Sequence, residues 1–387
     1  MQHPMIAATS RSRSIESYGA YLRDVTSEDV QSASALLGLV VVYGLVMEFI
    51  GQAPREGLAK LLSDYAGLSF YSCLLVGCGY AAGCLAWPSL RRDAGRRLFW
   101  LVVACGLTSL IFPFFLTFKE LVLPARGFLW DRSFAHMGRI LFGTSPWTLT
   151  HHVFGNPTGA RILDWSYRWW LPFMFGLPAV SAVLFADARL RLRILTSWTL
   201  CWILIGTVAA WYFASAGPCY FNIFIGSDPD YADLLRRLAA IGRRAAAEGH
   251  PIAVLQFQPG LVEIYRARAL SSGGGISAMP SVHVAMASLF ALVGFRINRW
   301  LGWAFVAFVM MVWTATVFFG WHYIVDGPVG VAMMLGIWTL AKVIAARAYP
   351  EKTVDAGETS DAALTLCISH SDEDDSDCED WQVERAA

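Results

Sequence analysis

The stretch LGWAFVAFVMMVWTATVFFGWHYIVDG (301–327) contains a long apolar run that is followed by a histidine and an aspartate. Residues 301–319 carry no charged side chain and approach the roughly 20 residues that an α-helix needs to cross a bilayer. His322 and Asp326 lie where this run meets the next apolar stretch, near 324–346. Because ionisable side chains at a membrane boundary are costly, such a pair indicates a functional site.

The rest of the chain repeats this apolar pattern. Of its 387 residues, 56% are hydrophobic and only 16% are charged, which is the composition of an integral membrane protein. The net charge of zero gives no indication of a nucleic-acid partner. We predict an all-α fold, a polytopic membrane helical bundle of about eight transmembrane helices, and the seven further stretches lie near 33–50, 68–88, 98–118, 168–186, 195–214, 281–296 and 324–346.

Basic residues mark one side of the predicted bundle. They lie in alternate connections and after the last stretch: Arg91, Arg92, Arg96, Arg97, Arg189, Arg191, Arg193, Arg296, Arg299, Lys342, Arg347 and Lys352. Since cytoplasmic loops carry an excess of Lys and Arg, both termini are predicted to be cytoplasmic. The long loops 119–167 and 215–280 then face the extracytoplasmic side, and in a bacterium the membrane would be the plasma membrane.

Two segments outside the apolar stretches have their own signatures. Residues 351–387 carry twelve Asp or Glu against Lys352 and Arg385, so we predict a disordered acidic tail. The sequence DYADLLRRLAAIGRRAAAEG (230–249) is typical of an amphipathic helix. That helix lies either on the membrane surface or on the surface of a loop subdomain, and the sequence leaves both readings open.

His322 and Asp326 are four residues apart, which places them on one face if the segment is helical. A carboxylate that holds an imidazole fixes its tautomer and leaves the other nitrogen free to attack or to accept a proton. The alternative interpretation is a capped helix end with an interfacial histidine.

A second histidine stands at the start of another apolar stretch, SAMPSVHVAMASLF (277–290). Ser281 is a natural N-cap, so His283 would lie in the first turn, where free N–H groups and the helix dipole favour an anion. The predicted topology places His283 and His322 on the same side of the membrane. Two histidines, an aspartate and a helix N-terminus together indicate phosphoryl transfer.

Cations for such an anion follow the third apolar stretch. FKELVLPARGF (118–128) contains Lys119 and Arg126, again on the predicted extracytoplasmic side. An arginine fork suits phosphate oxygens and a lysine adds a point charge. By itself, the same pair is typical of the positive flank of a membrane span.

Taken in order, K-x6-R (119–126), P-S-x-H (280–283) and H-x3-D (322–326) resemble the three motifs of the type 2 phosphatidic-acid phosphatase superfamily. The form H-Y-x-x-D resembles one branch, the inositol phosphotransferases and inositol phosphorylceramide synthases, to which the sphingomyelin synthases are related. The stretches FLWDRSFAHMGRILFGTSPW (128–147) and ASAGPCYF (214–221) are similar to other segments of that branch.

Three positions depart from the phosphatase pattern. The proline expected after the motif arginine is Gly127, and the glycine expected before the first histidine is Val282. The Ser-Arg pair expected upstream of the last histidine is Ala315-Thr316. That arginine is a phosphate ligand in the phosphatases, so its loss favours the synthase branch over a simple lipid phosphatase.

The resemblance implies a role for each motif residue. His322 is expected to attack phosphorus and form a phosphohistidine-type intermediate, with Asp326 orienting it. His283 is expected to protonate the leaving alcohol and then to activate the acceptor. The residues expected to bind phosphate are Lys119, Arg126 and Ser281. No metal and no cofactor is implied.

The resemblance also implies a domain organisation with a six-helix catalytic core. A cytoplasmic N-terminal segment (1–32) precedes an N-terminal transmembrane pair (33–97). The catalytic membrane domain (98–349) follows, and the acidic tail (350–387) ends the chain.

The implied reaction moves a phospho-head group, phosphoinositol-like, from a phospholipid donor to a lipid or sugar alcohol acceptor. Hydrolysis of a lipid phosphate, of the phosphatidic acid or polyprenyl phosphate type, is the alternative. A metal-dependent hydrolase and a transporter are different classes that the same polar residues leave open. Glu48 is the only charged residue deep in a predicted span, which favours chemistry at one edge of the membrane. The donor, the acceptor and the oligomeric state stay open.

Overall fold

The computed structural model describes residues 24–350, which form an all-α bundle with no β-strand in that range. The predicted fold class is therefore confirmed. The predicted acidic tail lies outside the described residues from 351 onward, as do residues 1–23. The longer helices are α1 (Ser27–Gly51), α2 (Arg55–Ala86), α3 (Ala94–Thr117), α4 (Asp131–Phe142), α5 (Pro146–Phe154), α6 (Pro157–Leu184), α7 (Ala188–Leu200), α8 (Pro229–Ala247), α9 (Ala253–Ala267), α10 (Val282–Ile297), α11 (Arg299–Phe318) and α12 (Asp326–Ala348).

All eight stretches predicted to cross the membrane are helical. Six helical segments of the described chain are long and apolar enough to span a bilayer: α1, α2, α11, α12, Ala94–Arg126 and Ala188–Tyr212. The helix α10 is apolar but has only 16 residues. The helix α6 is 28 residues long, but Arg161, Asp164 and Arg168 lie in its N-terminal half.

Two of the spanning segments contain wide, π-helical turns. Phe118–Val122 continues α3 and Cys201–Ala209 continues α7. Such turns are rare within α-helices and are frequent at functional sites. Lys119 lies in the first of them.

The N-terminal pair packs on the rest of the bundle. The helix α1 begins at Ser27, earlier than predicted, because Thr26 and Asp29 form a capping box there. The Asp29 carboxylate also accepts hydrogen bonds from Arg96 (2.7 Å) and Trp100 (3.1 Å) of α3. The helix α2 contacts α3 and α6. In the remaining bundle, α10 contacts α11, α12 and α6, while α12 also contacts α7.

The amphipathic helix of the long loop packs in a loop subdomain, which was one of the two interpretations of its sequence. Its apolar side chains (Tyr231, Leu234, Leu238, Ile241 and Ala245 of α8) are buried inside the protein. They join a hydrophobic cluster that includes Phe134 and Trp147. Because this face is covered by the protein itself, it is not available to a membrane surface.

Candidate active site

His322 lies in the turn between α11 and α12 and is almost fully buried. Its Nδ1 is 2.6 Å from the carbonyl oxygen of Ala278 and 3.3 Å from Oδ2 of Asp326. A carbonyl oxygen only accepts hydrogen bonds, so Nδ1 carries the proton. Nε2 then holds the lone pair, and it has no hydrogen-bond partner among residues 24–350.

Asp326 begins α12, so the segment from His322 to Asp326 is a turn and not the continuous helix that the spacing of four suggested. The predicted contact between the two side chains is nevertheless present. The same carboxylate oxygen accepts the backbone N–H of Tyr323, three residues earlier in the chain, at 2.9 Å. The carbonyl of Ala278 is therefore the nearer partner of the imidazole, and Asp326 mainly holds the turn.

The segment 214–221 holds the backbone that orients His322. The carbonyl of Ser215 accepts the N–H of Ala278 (2.9 Å), and its hydroxyl accepts the N–H of Met279 (3.0 Å). The N–H of Cys219 donates to the carbonyl of Gly320 (2.8 Å). This segment thus connects the approach to α10 with the approach to α12.

Asp131 adds a further connection. Its carboxylate accepts the backbone N–H of Ala216 (3.0 Å) and Gly217 (2.9 Å), and the phenol of Tyr323 (2.7 Å). Burial raises the pKa of Asp131, and these hydrogen bonds oppose the rise. The two loop stretches noted in the sequence, 128–147 and 214–221, therefore converge on the turn that carries His322.

His283 lies in the first turn of α10, and Ser281 is the N-cap, as predicted. The Ser281 hydroxyl accepts the N–H of Val284 at 3.3 Å and is fully buried. The imidazole of His283 packs against Tyr167 and Trp170 of α6, at centroid distances of 4.7 and 4.3 Å. Its Nε2 is 2.8 Å from the Tyr167 hydroxyl, a contact with no local signature in the sequence.

The rings of His283 and His322 are 5.7 Å apart and line one cavity of about 230 Å³. Lys119 also lines this cavity and is the only Lys or Arg side chain that does so in the described part of the chain. Its Nζ lies 5.6 Å from the centre of the Phe115 ring. The structure therefore brings together His283, His322, Asp326 and Lys119.

Arg126 is not part of that group. It is exposed, its guanidinium lies 5.7 Å from the centre of the Trp211 ring, and it lines a different cavity with Trp130 and Tyr212. A spacing of seven keeps two residues on one face of a regular α-helix. The π-helical turn at Phe118–Val122 has more residues per turn, so this register is lost between Lys119 and Arg126.

Glu120, which no sequence motif indicated, holds a glycine-rich loop against the cavity. Its buried carboxylate accepts the backbone N–H (2.7 Å) and the hydroxyl (2.9 Å) of Ser271. Gly273 and Gly274 of this loop line the cavity. Gly275 (φ 92°) lies so close to Lys119 that a Cβ would come within 2.5 Å of the lysine Cβ.

Thr316 stands where the phosphatases have an arginine, and it has a structural role here. It is fully buried, and its carbonyl accepts the N–H of Trp321 (2.9 Å) and of His322 (3.2 Å). Its hydroxyl donates to the carbonyl of Trp313 at 2.7 Å. The position supports the backbone of the candidate nucleophile and offers no cation.

A comparison with protein families decides the family. A sequence profile described as the PAP2 superfamily matches residues 132–340, just over half of the chain. The chain belongs to the PAP2 superfamily. No curated protein and no solved structure matched the chain.

Members of the PAP2 superfamily are phosphatases or phosphotransferases, so the protein is a membrane enzyme of this type that acts on lipids. The PAP2 match contains His283, His322 and Asp326 but begins after Lys119 and Arg126. Within residues 24–350, no three His, Cys, Asp or Glu side chains are grouped so that they could hold a metal ion.

Proposed function

We propose that the enzyme transfers a phospho-head group from a phospholipid donor to a lipid or sugar alcohol. The observation that carries this proposal is the pair of imidazoles, 5.7 Å apart in one cavity, of which His322 has its Nδ1 bonded and its Nε2 free. This is the arrangement that a nucleophile and a separate proton carrier require.

In the first half-reaction, the lone pair on Nε2 of His322 attacks the donor phosphorus. The bond from phosphorus to the alcohol oxygen of the donor breaks, and His283 gives that oxygen a proton. In the second half-reaction, His283 takes the proton of the acceptor hydroxyl. The acceptor oxygen then bonds to phosphorus, and the bond from phosphorus to Nε2 of His322 breaks. Lys119 stabilises the charge on the phosphoryl oxygens in both steps.

The small number of cationic side chains in the cavity supports a phosphodiester donor. A phosphodiester carries one negative charge, whereas a phosphomonoester carries about 1.5 to 2 at neutral pH. Lys119 alone supplies a Lys or Arg cation among the cavity-lining residues of the described chain. Two cations that would suit a dianion do not reach the cavity. The arginine of the phosphatases is replaced by Thr316, and Arg126 lines a different cavity. Arg126 is therefore left out of the phosphate site that we propose, and Ser281 is left out because its buried hydroxyl caps α10.

The site is proposed to face the extracytoplasmic side, with both termini in the cytoplasm. This assignment is supported by the basic residues in the alternate connections. The donor then comes from the outer leaflet of the membrane, and the acceptor reaches the same side.

Products identify the reaction directly. The purified full chain is incubated in mixed micelles with phosphatidylinositol, phosphatidic acid and a diacylglycerol acceptor whose acyl chains differ in mass from those of the donor, and the lipids are analysed by mass spectrometry. We expect transfer of phosphoinositol that is lost in His322→Ala and kept in His136→Ala, a control at an exposed histidine of α4. Release of inorganic phosphate from phosphatidic acid with no transfer product would instead assign the lipid phosphatase reaction. Activity that a chelator abolishes and zinc or manganese restores would favour a metal-dependent hydrolase.

A further inference from the structure

The cavity beside the two histidines has an aromatic wall. Six aromatic side chains line it: Tyr65, Phe112, Phe115, Trp170, Phe175 and Trp202. An apolar protein cavity of roughly 150 Å³ stays dry and accepts benzene. The volume of about 230 Å³ is larger, so this cavity can hold hydrocarbon next to the reacting phosphate.

The aromatic rings form a continuous row of neighbours that starts at His283. Measured between ring centres, Trp170 is 4.3 Å from His283, Trp202 is 6.3 Å from Trp170, and Phe112 is 4.9 Å from Trp202. Tyr65 ends the row, 5.3 Å from Phe112. In the proposed reaction His283 serves the alcohol side of the phosphate. The hydrocarbon of the departing alcohol therefore starts where this row starts.

Tyr65 comes from outside the segment that matches the PAP2 superfamily. It belongs to α2, the second helix of the N-terminal pair. Its ring also stacks on Phe175 of α6 at 6.2 Å, and Phe175 lies 4.6 Å from Phe112. The three rings contact one another as a cluster, and Tyr65 stacks on both phenylalanines, which fixes the position of the tyrosine.

The same helix also contacts the glycine-rich loop of the cavity. The hydroxyl of Ser272 donates to Asp64 at 3.2 Å, and the following residues Gly273 and Gly274 line the cavity. Glu120, in the π-helical turn that continues α3, holds this loop through Ser271. Asp64 and Tyr65, neighbours in α2, therefore contact the glycine-rich loop and the aromatic wall of the cavity.

We infer that α2 completes the substrate cavity and that Tyr65 is a specificity-determining residue for the hydrocarbon of the donor lipid. The inference rests on the proposed function, because the phosphate has to lie at His322 for the donor chain to follow the aromatic row. Tyr65 touches the chain and not the reacting atoms. Its loss changes which donors bind well and leaves the phosphoryl chemistry in place.

Kinetics with donors of different chain length test the inference. Phosphatidylinositols with butanoyl, octanoyl and hexadecanoyl chains are compared in mixed micelles, with one fixed acceptor. Each buried methylene contributes about 0.8 kcal/mol, or about fourfold in affinity. We therefore expect Tyr65→Ala to lower kcat/KM for the octanoyl donor by about tenfold while kcat for the butanoyl donor stays within about twofold.

Two matched variants serve as controls. Tyr65→Phe keeps the ring and should keep the wild-type chain preference, as should Tyr71→Ala, which removes a 69% exposed tyrosine from the same helix. An equal loss for all donors would indicate a purely structural role and overturn the inference, as would an unchanged chain preference. An effect confined to the chain of the acceptor, varied in a second series, would overturn the assignment to the donor.

Crosslinking separates this inference from the proposed function. A phosphatidylinositol with a diazirine on the acyl carbons near the glycerol is photolysed on the wild-type protein, and the labelled peptide is mapped by mass spectrometry. We expect label in the helix Arg55–Ala86 whether or not the lipid is turned over, and less label in Tyr65→Ala. Label confined to other helices would overturn the inference even if His322-dependent transfer is observed.

Discussion

The phenol of Tyr323 donates a 2.7 Å hydrogen bond to Asp131, a residue 192 positions away in the chain. The same carboxylate accepts two backbone N–H groups of the segment 214–221. Tyr323 directly follows His322, so this bond fixes the backbone of the turn that carries the candidate nucleophile. Three parts of the chain are thereby held around one buried charge.

Removal of the Tyr323 hydroxyl should destabilise the protein in a pH-dependent way. A hydrogen bond to a charged group contributes about 1.5 to 3 kcal/mol, so we expect Tyr323→Phe to lose about that much at neutral pH. Burial raises the pKa of Asp131 and the hydroxyl opposes this rise, so the variant raises the pKa further. The loss should therefore shrink as the pH falls below the pKa of Asp131 and the carboxylate is protonated.

Thermal unfolding in detergent at neutral and acid pH measures this effect. Tyr71→Phe is the control, because its side chain is 69% exposed and should show no loss at either pH. A loss for Tyr323→Phe that is the same at every pH would show that Asp131 does not titrate with the bond.

Asp326→Asn should reduce turnover only moderately. In a catalytic triad the corresponding change costs about 10⁴-fold, because the histidine adopts the wrong tautomer. Here the Ala278 carbonyl holds the proton on Nδ1 at 2.6 Å, and Asp326 is at 3.3 Å. We therefore expect a loss of about 10- to 100-fold in kcat, the size found for the outer hydrogen-bond partners of metal-ligating histidines. A loss as large as that of His322→Ala would mean that the carboxylate, and not the carbonyl, sets the tautomer.

Lys119 and Arg126 should contribute unequally. Lys119 lines the cavity and Arg126 lies in another one. Removing one preorganised donor to transition-state charge typically costs about 10²- to 10³-fold in kcat, which we expect for Lys119→Ala. Arg126→Ala should change kcat by less than about threefold. Equal losses in steady-state kinetics would show that Arg126 reaches the phosphate during turnover.

The membrane side of the site is tested by labelling. Thr144→Cys and Ser227→Cys, both exposed in the long loops, should react with a membrane-impermeant thiol reagent added to intact cells. Ala186→Cys, exposed in the loop before α7, should react only after the cells are opened. The opposite pattern would place the candidate site in the cytoplasm. Labelling of the unaltered chain gives the background from its own cysteines.

Structural features that depend on residues close together in the chain could be predicted from the sequence. The helices follow from the length of the apolar runs, and the start of α10 follows from the capping preference of Ser281. The contact of His322 with Asp326 was also expected, although a turn and not a helix produces it.

Structural features that depend on contacts between distant parts of the chain could not be predicted from the sequence. Nothing local in the sequence indicates that Tyr167 meets His283, 116 residues away, or that Ala278 accepts from His322. Arg126 was expected at the phosphate because K-x6-R (119–126) resembles the first motif of the superfamily, and a regular helix would align its two cations. A π-helical turn, which no residue preference announces, changes that alignment.

In the proposed reaction His322 forms a covalent bond to phosphorus, while His283 only moves a proton. General acid catalysis contributes about 10²- to 10⁴-fold, and a nitrophenolate leaving group does not need it. The decisive measurement is therefore the rate of the first half-reaction, followed as single-turnover release of the leaving group, because the second half-reaction uses His283 as a base with any donor. It is measured for a nitrophenyl phosphodiester relative to the corresponding alkyl phosphodiester, in His283→Ala and in His322→Ala. We predict that the nitrophenyl substrate restores most of the activity of His283→Ala and none of the activity of His322→Ala. Equal recovery in both variants would contradict the assignment of nucleophile and acid.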